Sequence, residues 1–188
     1  MQTLALTCHP STPCSYVSAI GVRVERVGED RLLLGLTVEG DLDRLQVPSQ
    51  RRARHADGLW RHTCFEAFIK QRGATRDYVE LNFSPSSEWA IYGFDDYRRA
   101  RQLLAPPHPP KIVCRRGEAV LAADVDVHLR DLFPGHARIG ELRLGIAAVL
   151  EDTERTLSYW AIRHPAERAD FHHPDSFVLA LPQPGAAS

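Results

Sequence analysis

The sequence predicts an all-β fold, an antiparallel β-sandwich of immunoglobulin-like, two-sheet architecture with at most one or two short helices. Three features support this fold class: short runs of alternating apolar and polar residues, turn residues between the runs, and no long helical periodicity. Alternation with a period of two places the apolar side chains on one face of a strand. Many short strands without long helices between them favour a sandwich or barrel over a parallel βαβ sheet.

Roughly ten segments show this alternation, and they are rich in the β-branched and aromatic residues that strands favour. The predicted strands are Ile20–Val27, Leu32–Val38, Thr63–Lys70, Tyr78–Ser84, Trp89–Phe94, Lys111–Cys114, Ala119–Val127, Leu142–Leu150, Leu157–Ile162 and Phe177–Leu181. One short helix is predicted over His128–Phe133, because Pro134 and Gly135 follow it directly.

The length of 188 residues falls within the range of one domain. A stiff connector, Pro106–Pro110, lies near the middle of the chain, but neither half has enough strands to close a sandwich alone. The sequence therefore predicts one domain over residues 1–188, with residues 1–15 and 182–188 peripheral or frayed.

Composition excludes several classes of function. A formal net charge of −1 gives no long-range attraction to nucleic acid or to anionic lipid. No apolar run approaches the roughly 20 residues that cross a bilayer, and the first residues lack the pattern of a signal peptide. The cysteines are scattered without a CxxC pair, which is typical of free thiols: Cys8, Cys14, Cys64 and Cys114. These features predict a cytoplasmic protein that binds neither nucleic acid nor a membrane.

The segment Asp57–Arg98 carries the most functional information. Its first two predicted strands each have an apolar face, formed by Phe65, Ala67 and Ile69 and by Val79, Leu81 and Phe83. If a hairpin across Gln71–Asp77 buries both apolar faces together, Glu66 lies near Asn82 and Glu80 lies near Phe68. The opposite face of this hairpin is then polar and aromatic.

Two interpretations of that face stay open. Antiparallel sheets often expose one side to water, so the face needs no function. Alternatively, Trp60 just before the first strand and Trp89 at the start of the third favour a ligand site. An aromatic ring beside carboxylates and amides suits a sugar, whose C–H face packs on the ring while its hydroxyls need hydrogen-bond partners.

Two motifs carry a resemblance to a known group of proteins. They are Asp57–Tyr97 and the C-terminal stretch from Tyr159–Pro165 through Asp170–Pro174. Both resemble the DOMON-like superfamily, and more closely its bacterial branch related to the family-nine carbohydrate-binding modules. Some members of that branch are fused to a peptidoglycan-precursor reductase.

The resemblance implies a β-sandwich that binds sugars or haem between its sheets. In the carbohydrate-binding relatives a tryptophan precedes a strand that carries a glutamate, which Trp60 and Glu66 match here. A second tryptophan near the C-terminus completes an aromatic clamp, and Trp160 is the candidate for it. Asn82 and Arg163 complete the predicted ligand-binding set.

No cofactor is predicted. The nearest group of metal-ligand types is His164, Asp170, His172 and His173, but adjacent histidines on a strand point to opposite faces. We expect these side chains to fix a C-terminal loop by hydrogen bonds to the backbone. Haem is not expected, because the resemblance implies a methionine axial ligand and the sole methionine here is Met1.

The predicted function is non-catalytic binding of a carbohydrate or a sugar-containing metabolite, with cell-wall metabolism as one setting. The first alternative is a protein-interaction module that uses its exposed sheet face to dock a partner in cell-wall metabolism. The second is an undetected hydrolase that uses Glu66 or Glu80, although the chain has no GxSxG, P-loop, GxGxxG or HExxH motif.

Overall fold

The computed structural model describes residues 1–74, 77–136 and 138–184. Within these residues the chain is almost entirely strands joined by turns. The strands are β1 (Gln2–Cys8), β2 (Val17–Val27), β3 (Arg31–Gly40), β4 (Arg54–His55), β5 (Cys64–Gln71), β6 (Tyr78–Phe83), β7 (Glu88–Asp96), β8 (Arg99–Leu103), β9 (Lys111–Arg116), β10 (Val120–His128), β11 (Leu142–Glu151), β12 (Leu157–Ala161) and β13 (Leu179–Leu181). The helical turns are α1 (Leu129–Leu132) and the 3-10 helices Leu59–Arg61 and Pro174–Ser176. The prediction of an all-β chain with a short helix within His128–Phe133 is confirmed.

The strands form one continuous, curled sheet in the order β4-β7-β6-β5-β11-β12-β1-β2-β3-β10-β9, with β13 on β11 and β8 on β7. Two features differ from the predicted pair of antiparallel sheets. First, β4 pairs with β7 in parallel, so the sheet is mixed. Second, β1 joins the two halves, because Gln2–Leu6 pair with β2 while Thr7 and Cys8 pair with β12.

The N-terminal segment corrects the prediction for residues 1–15. Instead of a peripheral end, β1 is an interior strand with a neighbour on each side. The side chains of β1 contribute little to the core, since only Leu6 among them is buried. Backbone hydrogen bonds to its two neighbours therefore hold β1 in place. The prediction relied on alternating apolar residues, and so it did not identify this strand. At the other end β13 forms as predicted, while residues 185–188 of the predicted frayed tail lie outside the described residues.

One hydrophobic core connects the two halves of the sheet. It contains Val24 and Leu36 from one half together with Phe65 and Phe83 from the other. The predicted hairpin register is confirmed: Phe65 lies opposite Phe83, Glu66 opposite Asn82, and Phe68 opposite Glu80. Because side chains alternate across a strand, burying Phe65 and Phe83 in the core turns Glu66 and Glu80 to the other face of the sheet.

Candidate ligand-binding site

A cavity of about 500 Å³ lies on the face of the sheet that is turned away from the shared core. This volume is typical of small-molecule sites, as is the mixture of aromatic walls with a few polar groups. Strands β5, β6, β7, β11 and β12 supply its floor, and the segments before β5 and after β12 supply its walls. The lining residues are Trp60, Glu66, Glu80, Tyr92, Phe94, Arg98, Val149, Tyr159, Ala169, Phe171 and His172.

Glu66 lies at the centre of the cavity floor. Only 4% of the residue is exposed, and its Oε1 atom is buried without a hydrogen-bond partner. Burial raises the pKa of this carboxyl well above its ordinary value, and the nearby charge of Glu80 raises it further. The site therefore holds a carboxyl group whose bonding capacity is not used by the protein itself.

Glu80 is the second buried carboxyl of the cavity. Its Oε1 atom accepts a hydrogen bond of 2.7 Å from Nδ2 of Asn82, which is itself fully buried beneath the floor. Burial raises the pKa of Glu80 to about 6, although the Asn82 hydrogen bond and the guanidinium of Arg98 act in the opposite direction. Two carboxyls with raised pKa values thus share one cavity.

Tyr78 and Glu80 flank the buried ring of His172. The backbone N–H of Arg98 donates to the Tyr78 hydroxyl at 3.1 Å, and this hydroxyl lies 2.8 Å from Nδ1 of His172. The hydroxyl accepts the Arg98 N–H and shares a hydrogen bond with Nδ1, and the tautomer of the ring sets the direction of that bond. Nε2 lies 3.6 Å from Oε2 of Glu80. Burial, followed by the charge of Arg98, lowers the pKa of His172 to about 4, so the ring is neutral at pH 7.

Aromatic rings form the walls and the opening of the cavity. Trp60 lies in the 3-10 helix Leu59–Arg61, which Gly58 begins with a left-handed φ of 74°. The Trp60 ring meets Tyr92 edge to face at 5.6 Å between centroids, and 37% of the residue remains exposed. Across the cavity Tyr159 meets Phe171 at 6.0 Å. The Tyr92 hydroxyl donates to Asp57, which holds the ring against the segment before β5.

The segment after β12 closes one side of the cavity and is anchored through Asp170. This carboxylate accepts hydrogen bonds from Nη2 of Arg98 at 2.9 Å and from the Tyr97 hydroxyl at 2.6 Å. Despite partial burial, these bonds lower the pKa of Asp170, so it is ionised and neutralises Arg98. His164 also ties this segment down, because its Nε2 atom lies 2.8 Å from the carbonyl oxygen of Thr7.

The anchoring role expected for the C-terminal histidines and Asp170 is therefore present. His173 accepts a hydrogen bond from the backbone N–H of Asp175 through its Nδ1 atom at 3.1 Å. Among the described residues, no group of three or more His, Cys, Asp or Glu side chains is arranged to hold a metal ion. No helix in the described parts of the chain is long and apolar enough to span a membrane.

The structure brings together some of the predicted ligand-binding residues but not all of them. Trp60 and Glu66 line the cavity, and Asn82 supports it through Glu80. Trp160 does not line it: the side chain packs in the shared core, and Nε1 donates to Ser158. Arg163 is exposed and borders a separate small depression beside Phe68 and Phe171.

The correction for Trp160 has a simple geometric cause. Trp160 pairs with Ala148, whose side chain belongs to the core, whereas Tyr159 pairs with Val149, which lines the cavity. A shift of one residue along a strand moves a side chain to the opposite face. Tyr159 therefore occupies the place on the cavity that was expected for Trp160.

Sequence reasoning also missed several residues of the walls. Tyr92 and Phe94 share a face of β7 with Ala90, opposite Glu80, Tyr78 and Asn82 on β6. Extending the predicted alternation from β6 to β7 identifies both of these rings. Arg98, Phe171 and His172 come from a turn and a loop, where no periodic signal exists.

Comparison with known proteins shows which solved structures share this fold. No protein-family model matches the chain, and no curated protein matches it. Among solved structures, it is similar to a "putative carbohydrate-binding protein" from Bacteroides uniformis, with a TM-score of 0.70 and 16% identity over 94% of this chain and 84% of that one.

Two further structures are of a family-nine carbohydrate-binding module from Caldicellulosiruptor kristjanssonii. The glucose complex has a TM-score of 0.52 and 9% identity, covering 94% of this chain and 81% of that one. The cellotriose complex has a TM-score of 0.55 and 8% identity, covering 94% of this chain and 80% of that one. At these identities the likeness concerns the fold alone. The chain thus has a β-fold of the kind found in family-nine carbohydrate-binding modules.

Proposed function

We propose that this chain is a non-catalytic carbohydrate-binding domain whose ligand, a sugar or a sugar-containing metabolite, occupies the cavity beneath Trp60. The observation that carries the proposal is the Glu66 carboxyl, which is buried on the cavity floor with Oε1 unpaired. A buried acceptor without a partner costs about 1–3 kcal/mol. A ligand hydroxyl that donates to this carboxyl recovers part of the free energy of its burial.

The walls of the cavity fit the apolar C–H face of a sugar ring. Trp60, Tyr92 and Tyr159 supply aromatic surface for the C–H face of the ring, while each keeps a polar atom for hydrogen bonding. The fold neighbours were solved with glucose and with cellotriose, which supports the same ligand class here. We further propose that the chain belongs to the DOMON-like superfamily, with its halves packed as a sandwich, and that it acts in the cytoplasm.

A second candidate function rests on the pair of carboxyls. Glu66 and Glu80 line one cavity and both have raised pKa values, which is the property of the general acid in a glycoside hydrolase. A hydrolase would convert its ligand, whereas a binding domain returns it unchanged. Analysis of recovered oligosaccharide therefore separates the two functions.

The proposal predicts that Trp60→Ala and Glu66→Gln each weaken sugar binding at least tenfold, or about 1.4 kcal/mol. Trp60→Ala removes the exposed aromatic surface, and Glu66→Gln replaces one carboxyl oxygen by an amide group while keeping the shape of the side chain. Calorimetric titration of the purified chain with glucose, glucosamine and cello-oligosaccharides measures the effect, and circular dichroism checks the fold of each variant.

Arg163→Ala is the matched control, because Arg163 lies outside this cavity. We expect it to bind as the wild type does. Wild-type affinity in both Trp60→Ala and Glu66→Gln would refute the site. Release of shorter sugars from a cello-oligosaccharide, abolished by Glu66→Gln, would instead establish the hydrolase.

A further inference from the structure

We infer that the ligand of this cavity is a sugar with a free, protonated amine, bound as a cation between the two buried carboxyls and the aromatic walls. The inference rests on the proposed function and narrows its ligand class. It follows from three properties of the cavity: its unbalanced acidic groups, its aromatic walls and the unpaired oxygen of Glu66.

Among the described lining residues, no permanently charged cation is hydrogen-bonded to Glu66 or Glu80, although Arg98 acts on Glu80 from a distance. Glu66 and Glu80 are 4% and 6% exposed, so water neutralises little of their charge. Of the described lining residues, only Arg98 carries a permanent positive charge, and it is bound to Asp170 at 2.9 Å. His172 adds no charge at neutral pH, because burial lowers its pKa to about 4. Burial raises the pKa of both carboxyls, and a bound cation stabilises their ionised forms, which a neutral sugar does not do.

The walls are suited to a cation. Trp60, Tyr92, Phe94, Tyr159 and Phe171 present aromatic rings to the same space as the two carboxyls. The faces of aromatic rings attract ammonium groups, and rings grouped around acidic side chains form the cages that bind such cations. The Trp60 ring already shows this tendency, since the guanidinium of Arg61 lies 5.8 Å from its centroid.

The two carboxyls of the floor favour a ligand group that has several hydrogen-bond donors. An ammonium group has three N–H donors and no acceptor, so it can serve Glu66 and Glu80 together. A hydroxyl offers one donor, and an N-acetyl group offers one donor without charge. The chemistry of the floor therefore favours glucosamine and its oligomers over glucose or N-acetylglucosamine.

The test compares three monosaccharides, glucose, glucosamine and N-acetylglucosamine, by calorimetric titration of the full chain at neutral pH. We expect glucosamine to bind at least tenfold more tightly than either of the others. Glu66→Gln and Glu80→Gln should each reduce that preference at least threefold, while Glu118→Gln, an exposed charge removal remote from the cavity, should keep it.

The pH dependence gives a second readout. Binding of glucosamine should strengthen from pH 5 to pH 7 as the carboxyls ionise, with protons released on binding, whereas binding of glucose should not. The other titratable groups that face the carboxyls are Cys64, Tyr78, Tyr92, Arg98 and His172, and their shifted pKa values keep their charges constant between pH 5 and pH 7. Glu118→Gln, which is remote from the cavity, should keep the trend.

The outcomes separate this inference from the function beneath it. Equal affinity for glucose and glucosamine would overturn the cation inference and leave carbohydrate binding intact. Binding of tetramethylammonium as tightly as glucosamine would show a cation site that does not recognise sugar, which overturns both. No binding of any of the three sugars or of chitosan and cellulose oligomers would also overturn both.

Discussion

Phe83→Ala is expected to lower the free energy of unfolding by about 3–5 kcal/mol, the usual range for truncating a buried phenylalanine. Phe83 is 1% exposed and lies opposite Phe65 in the core that joins the two halves of the sheet. Its removal leaves a cavity that rigid neighbouring strands cannot fill. Equilibrium unfolding in urea, followed by circular dichroism, measures the loss.

Phe133→Ala is the control, because it makes the same truncation of phenylalanine to alanine at a less buried position. Phe133 is half-buried beside the same core, at the end of α1, so the same truncation removes fewer contacts. We expect a loss clearly smaller than that of Phe83→Ala. A loss below about 1 kcal/mol for Phe83→Ala would mean that its face of β6 does not point into a packed core.

The alternation that buries Phe83 also predicted the opposite face of β5 and β6, which is the part of the site that the sequence predicted best. In β5 and β6 apolar residues occupy every second position, so one parity alone buries both strands, and that parity turns Glu66 and Asn82 toward the cavity. In β12 no such signal exists. Tyr159 and Trp160 are both aromatic neighbours, and the pairing with β11 decides which one reaches the cavity.

The remaining parts of the site arise from contacts distant in sequence. Arg98 and Asp170 meet between a turn after β7 and the segment after β12, and this pair positions Phe171 and His172 beside the cavity. Local patterns carry no information on such pairings. The same holds for β1, which is defined by its neighbours β2 and β12 more than by its own side chains.

The buried carboxyls make the empty site costly to the fold. Glu66 and Glu80 are both less exposed than most acidic groups in folded proteins, where unpaired buried carboxyls are rare. Binding sites often retain such groups because their unsatisfied bonding capacity is what the ligand uses. Stability and binding should therefore respond in opposite directions when one carboxyl is replaced by an amide.

Glu80→Gln should accordingly stabilise the free protein, and by an amount that grows with pH. The pKa of Glu80 is about 6 in the folded state against an ordinary value of 4.5, so the folded state binds more protons than the unfolded state between these values. Stability from this group is therefore present at low pH and is lost as the pH rises through 6. A difference of this size corresponds to about 2 kcal/mol.

The measurement is the free energy of unfolding of wild type and Glu80→Gln at about pH 4 and pH 8, without ligand. The variant should gain about 2 kcal/mol relative to wild type between the two values. The amide oxygen introduced by Glu80→Gln still accepts from Asn82, so that contact adds no pH dependence. The lowered pKa of His172 acts in the opposite sense in both proteins, destabilising the fold below pH 6.5. Removal of the Glu80 charge also lessens the raised pKa of Glu66, which adds to the gain of the variant at high pH. Glu118→Gln, on an exposed bend between β9 and β10, should show no such trend. A pH-independent difference between wild type and Glu80→Gln would contradict the buried, proton-binding state of Glu80.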